Sequence, residues 1–124
     1  MSATGILQAA TVIPLTVQAA LGSEIGTEGV EYLQLYLTYT KGDETGVTIR
    51  MFTRRTTGGT SHQSLIWTES SGVNTAAVEE VYLTASGSLR YEWLLGAVDY
   101  VYFTVAGTND GTPTGTLAAS YALL

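Results

Sequence analysis

The chain's one imidazole, His62, lies in a run of small hydroxylated residues, flanked by Ser61 and followed by Ser64. With a nearby acid such as Glu69 or Asp99, it could assemble a serine nucleophile, its base and an orienting carboxylate. No signature marks either serine as a strained, exposed nucleophile, so His62 is read as an exposed loop residue. Glu79–Glu80 and Asp43–Glu44 are adjacent acid pairs. Strand neighbours point to opposite faces, so Glu79 and Glu80 do not form a catalytic dyad, and both pairs are read as solvated charge. Calcium could sit at Asp43 and Glu44 or at Asn109 and Asp110, but neither pair has the spacing of a dedicated oxygen cage. The glycine-rich runs TTGGT and GTNDG do not join a strand to a helix as a phosphate cradle does. They read as turns. The absence of cysteine excludes disulfides, Cys-zinc sites and thiol catalysis. No catalytic, metal or cofactor site is expected, and an enzyme is the least favoured class.

The elements that would carry these residues follow from composition. Of 124 residues, 45% are apolar and only 13% charged. Thr (20), Gly (14) and Ser (9) together fill 43 positions, so the wet surface is built from hydroxyls and backbone more than from ions. Such a chain has enough apolar surface for one core and is not disordered. A single domain spanning residues 1–124 is expected. A net charge of −6 with one lysine argues against nucleic-acid binding through phosphates. The N-terminal stretch MSATGILQAATVIPLTVQAAL has no cation before its apolar residues, unlike a secretory signal. No apolar run approaches the ~20 residues of a membrane helix, so a soluble protein is expected.

Period-two alternation dominates. Ile13, Leu15, Val17, Ala19 and Leu21 share one face of a strand predicted from Thr11 to Leu21, with Pro14 marking an edge or a bulge. Leu33, Leu35, Leu37 and Tyr39 alternate with Tyr32, Gln34, Tyr36 and Thr38. After the turn Lys41–Gly46, Val47, Ile49 and Met51 alternate with Thr48, Arg50, Phe52 and Arg54, and the two strands read as a hairpin. Further strands are expected near Ser64–Thr68, with Leu65 and Trp67 on one face, and at Val81–Thr84. Leu89, Tyr91, Trp93 and Leu95 mark another strand ended by Gly96, and Val101, Phe103 and Val105 the next. Asp110–Gly111 is a hairpin signal before a last strand carrying Leu117, Ala119, Tyr121 and Leu123. The fold expected is all-β: a single-domain antiparallel β-sandwich, jelly-roll-like, of about eight strands. Leu35, Leu37, Ile49, Trp93, Val101, Phe103 and Leu117 are its expected core.

If the aliphatic faces fill that core, parity leaves Tyr32, Tyr36, Arg50, Phe52, Arg54, Tyr100 and Tyr102 on outer faces. Interfaces are enriched in these residue types, and seven such side chains left bare would form a patch that soluble monomers rarely tolerate. They are the expected protein-interface residues. Arg50 and Arg54 are expected to pair with carboxylates of a neighbouring molecule. A sheet covered on its second face by the N-terminal segment is the competing arrangement.

Two segments carry a resemblance: LQLYLTYTKGDETGVTIRMF, a Tyr/Leu strand, an acidic Gly turn and a Val/Ile strand, and YVYFTVAGTNDGTPTGTLAASYAL. From about Val30 to its end, the chain resembles the small β-sandwich structural proteins of tailed-bacteriophage particles, the capsid decoration (cement) and related virion proteins. The resemblance implies a non-enzymatic virion protein with the major capsid protein or other virion proteins as partners; charge and hydropathy, as above, exclude nucleic acid and membrane as expected partners. It implies a homo-oligomer, a trimer favoured, on the capsid exterior, assembled in the host cytoplasm. A tail, neck or fibre component shares these features. A carbohydrate-binding β-sandwich using exposed aromatics is the third class.

Overall fold

The computed structural model describes residues 3–13, 18–60, 62–63, 65–78, 80–95, 99–108 and 113–124. Among them there is no helix. In chain order the strands are β1 (Ala3–Val12), β2 (Ala19–Ala20), β3 (Ile25–Gly26), β4 (Tyr32–Thr40), β5 (Gly46–Arg54) and β6 (His62–Gln63). Then come β7 (Leu65–Ser70), β8 (Val73–Val78), β9 (Glu80–Leu83), β10 (Gly87–Leu94), β11 (Tyr100–Thr108) and β12 (Thr116–Leu123). Sheet 1 has the order β1-β12-β4-β10. Sheet 2 is built on the β11–β5 pair, with β2 and β3 flanking β11 and β6 and β9 flanking β5. The β7–β8 hairpin forms a separate ladder.

From β1 to β5 the chain changes sheets at every step, with β2 and β3 acting as one interrupted strand; from β9 to β12 it does so again. That alternation, with every pairing antiparallel, is the double-sheet jelly roll. The expected sandwich is present, and its β5–β9 connection carries the extra β6 pairing and the β7–β8 hairpin. Ser71 and Gly72 both have positive φ at the tip of that hairpin, the backbone handedness that a tight two-residue turn requires.

The core lies between the sheets. Leu33, Leu35, Leu37 and Tyr39 of β4 face Val47, Ile49 and Met51 of β5 and Val101, Phe103 and Val105 of β11, all buried. Leu117, Ala119 and Leu123 of β12 complete the layer. Six of the seven expected core residues are buried; Trp93 is the exception and is half-buried. It sits on β10, the end strand of sheet 1, where no further strand among the described residues covers it. Its ring still reaches across the sandwich to Phe103, with centroids 5.6 Å apart.

Several expectations are corrected. β4 and β5 do not form a hairpin: they lie in different sheets, and residues 41–45 arch between them. β11 and β12 likewise lie in different sheets; Asn109, Asp110 and Gly111 themselves fall outside the described residues. The N-terminal strand is Ala3–Val12, not Thr11–Leu21, and Ala19 is exposed. Two register breaks in its pairing with β12 erase the alternation by which a strand is recognised. Pro14, Leu15, Val17 and Gly96 lie outside the described residues, as do the side chains of Leu65, Trp67 and Glu69.

The largest correction concerns Glu44. It is not solvated but wholly buried. Its Oε2 accepts hydrogen bonds from the Tyr39 hydroxyl and from the Gly42 N–H at 2.9 Å, and its Oε1 from the N–H groups of Thr114 (3.1 Å) and Gly115 (2.8 Å). Four donors fill the acceptor positions of one carboxylate, leaving none for calcium. The β4–β5 arch is thereby tied to the β11–β12 arch beside it. Gly42 and Gly115 make room: a Cβ on either would collide with the other arch, on Thr114 or on the Glu44 carboxylate.

Burial opposes ionisation of Glu44, but the Tyr39 hydroxyl and the Gly42 and Gly115 amides outweigh it and hold the carboxyl at about 2. Burial, then the Glu44 acceptor and its charge, push the Tyr39 hydroxyl well above the usual phenol range. The folded carboxyl thus titrates below its unfolded value of about 4.5. It contributes roughly 3 kcal/mol above that pH, lost as the pH falls towards 2. The Tyr39 contribution is complete below pH about 10 and is lost above it. Urea melts across pH should show stability falling on both flanks. Glu44→Gln should cost about 3 kcal/mol or more at neutral pH, because its amide turns a donor toward donors, and should flatten the acid flank. An unchanged acid flank would overturn this role. In the core, Phe103→Ala should cost about 3–5 kcal/mol. Leu89→Ala, on the same face of β10 as Trp93 but 39% exposed, should cost about 1 kcal/mol.

Candidate interaction surface

The seven expected interface residues do lie on outward-facing positions, but not on one surface. Tyr32 and Tyr36 stand on sheet 1, while Arg50, Phe52, Arg54, Tyr100 and Tyr102 stand on sheet 2. The core separates the two groups, so one contact cannot use both.

On sheet 2 the register sets Tyr102 opposite Phe52 and Tyr100 opposite Arg54. The Arg54 guanidinium lies 4.1 Å from the Tyr102 ring centroid, and its Nη1 is 3.0 Å from Glu24 Oε2. Glu24 also accepts the Gly58 N–H at 3.0 Å. The Gly58 amide first, then Arg54, hold its carboxyl below the usual range. Arg50 Nε pairs with Glu80 Oε2 at 3.0 Å. Both arginines expected to reach for a neighbour's carboxylates are therefore engaged within the chain, because β9 and the β2–β3 turn bring acids alongside β5. Further along this face Thr48, Thr104 and Ala106 are buried despite their outward parity. Gln18 lies over them, accepting from Thr104 Oγ1 at 2.5 Å and donating to the Thr48 carbonyl at 3.5 Å. The competing arrangement, a covered second face, thus holds for this corner alone among the described residues.

Sheet 1 is different. Outward residues of β12 are small: Ala118, Ser120 and Ala122. Larger side chains rise on either side of this floor, Ile6 from β1 (81% exposed) and Tyr36 from β4 (41% exposed). Ile6, Ser120 and Tyr36 share one cross-strand row. The result is a trough along β12, continuous through two depressions of about 430 and 300 Å³ that share Ile6, Tyr36 and Ser120. Tyr36 is steadied by its hydroxyl, which donates to Gln34 Oε1 at 2.8 Å. The trough was legible in part: Ala118, Ser120 and Ala122 alternate in TLAASYAL, but nothing in the sequence announces Ile6 as its far wall.

A polar recess of about 450 Å³ lies at the end of sheet 2, lined by Gly26, Glu28, Arg55, Asp99 and Tyr100. His62 is exposed, on β6 opposite Thr53, and its side chain makes no hydrogen bond or ion pair to a described residue. Ser61, Ser64 and Glu79 lie outside the described residues.

No family model matches the chain, and no curated protein does. Its fold is shared by solved structures at low identity. A SPBc2 prophage-derived protein, YomS, superposes with a TM-score of 0.58 at 11% identity, over 99% of this chain and 92% of that one. A subunit of Bacillus endospore appendages, described as disulfide-linked pili, gives 0.55 at 15% identity, over 99% and 85%. A protein of the T13 particle of infectious bursal disease virus gives 0.55 at 11%, over 99% of this chain but only 30% of its own length. These likenesses show the jelly-roll fold.

The two outer faces should answer differently to mutation. Tyr36→Ser should leave stability within about 1 kcal/mol of the parent. Tyr102→Ser should cost about 1–2 kcal/mol, through loss of its contacts with Arg54 and Phe52. Circular dichroism should find both folded. Unfolding of the isolated Tyr36 variant would mean that the trough wall is part of the core.

Proposed function

We propose that this chain is a non-enzymatic structural protein of a tailed-phage particle, acting as a single domain and decorating the outside of the capsid as an oligomer. The observation that carries the reading is the sheet 1 trough: a small-residue floor between Ile6 and Tyr36 on the outer face of the sandwich. It is suited to a protein partner, because it offers apolar area and shape but gathers no set of acids and bases. Burying it against major capsid protein would contribute roughly 25 cal/mol per Å² of apolar area before association costs. The shared fold with a prophage-derived protein and a viral-particle protein supports this reading. A structural role in an assembled fibre is supported by the endospore-appendage likeness, although a chain without cysteine has to assemble without disulfides.

The test is cosedimentation with shells built from the major capsid protein of the particle in which this chain is found. The parent should sediment with the shells, and Ile6→Ser and Tyr36→Ser should each weaken binding at least about tenfold while remaining folded. Labelled particles should carry the protein across the shell; label at one vertex would favour a tail or neck position instead. A folded parent that binds no virion component would overturn the reading. The glycan alternative rests on the recess beside Tyr100, where an aromatic wall meets Glu28, Asp99 and Arg55. Saturable glycan binding lost in Tyr100→Ala would put it first.

A further inference from the structure

Sheet 1 ends on β10, and among the described residues nothing pairs with its outer edge. The other edges are protected in recognisable ways. β1 is broken by two register shifts, and the flanks of sheet 2 are divided into short pieces: β2, β3 and β6 of two residues each, and β9 of four. β10 by contrast runs eight residues with an unbroken register against β4.

We propose that β10 pairs antiparallel with β10 of a second copy about a two-fold axis at Tyr91, joining the two copies of sheet 1 into one continuous sheet. The inference rests on the oligomeric part of the reading above and names its partner and surface. Three observations carry it.

The first is the direction of the main chain. The Leu95 N–H donates to the Glu31 carbonyl at 2.8 Å, in register with the β10–β4 ladder. Antiparallel bonding alternates residue by residue, so the odd residues of β10 bond to β4. The N–H and C=O groups of Ser88, Arg90, Glu92 and Leu94 therefore point outward. A dyad at Tyr91 sets Arg90 opposite Glu92 and Ser88 opposite Leu94 of the partner, and each outward group meets a complementary one.

The second is charge. That register places Arg90 of each copy beside Glu92 of the other on the outer face. A dyad at Arg90 or at Glu92 would oppose like charges instead. Arg90 is exposed and makes no hydrogen bond or ion pair with a described residue. Glu92 accepts from Gln34 through Oε2 alone, at 2.8 Å, which leaves Oε1 for the partner's guanidinium.

The third is apolar surface. Leu89 is 39% exposed although it faces inward, Leu94 is 73% exposed, and Tyr91 and Trp93 are half-buried and stacked with centroids 6.2 Å apart. The dyad sets Leu89 against Trp93 of the partner and Tyr91 against Tyr91, closing the side of the core that sheet 2 leaves open.

Sedimentation equilibrium of the full chain at 1–100 µM (a range of about two decades, matching micromolar affinity) should show reversible dimer. Arg90→Glu and Glu92→Arg should each weaken it at least about tenfold by opposing like charges, and the double variant should restore it. Glu92→Pro, which removes an N–H that β4 does not use, should give a folded monomer. A monomeric parent, a trimer, or a double variant as weak as the singles would overturn the edge pairing. Shell cosedimentation of the monomeric Glu92→Pro variant separates the two readings: binding there leaves the capsid role standing whatever becomes of the dimer.

Discussion

One buried carboxylate sets the geometry at an end of this sandwich. Glu44 gathers the Tyr39 hydroxyl and the amides of Gly42, Thr114 and Gly115, groups that belong to two arches crossing between the sheets. An ionised carboxylate without solvent is costly unless every lone pair is met, and here the donors come from both arches. The arches therefore cannot move independently. β4 and β12 leave the knot as neighbours in sheet 1, and β5 and β11 as neighbours in sheet 2. The registers of both central strand pairs, β4–β12 and β5–β11, are held from this point, and with them the outward side chains that those four strands carry.

Much of the fold was legible because the central strands obey parity. In β4, β5 and β11 each aliphatic position expected inward is buried, since a strand with neighbours on both edges must sort its faces. Where tertiary context overrides local pattern, the reading failed. The Lys41–Gly46 segment has the composition of a hairpin turn, and nothing local says that its glutamate will be buried by donors about seventy residues away. β1 escaped notice because its bulges break the alternation, and Trp93 is half-exposed because β10 is an end strand. Parity puts the residues expected at an interface on outward faces, but their division between two sheets depends on strand order, which single-strand patterning does not contain.

The surface that results is uneven in its commitments. On sheet 2 the arginines already have acids within the chain, and Gln18 caps a corner of the face. Sheet 1 keeps its apolar trough and, among the described residues, an unpaired edge on β10. Assembly contacts belong where backbone and side chains are unspent, and both such features fall on the same sheet. Were β10 to pair across a dyad, the two troughs would lie on one continued surface, each contacting a partner at a fixed spacing. Bivalent attachment of that kind raises avidity without any new contact within a trough.

The place of β12 in this arrangement has a kinetic side. It follows every other described strand, yet it lies between β1 and β4, so sheet 1 stays split until residues 116–123 dock. The Glu44 carboxylate likewise waits for Thr114 and Gly115, 70 and 71 residues further along the chain. Loop closures of this length must be completed before the contacts reward them, the regime of slow-folding β topologies. During synthesis the edges of β1 and β4 that β12 joins stay bare until residues 116–123 emerge, and unpaired edges of that length are open to pairing with another chain.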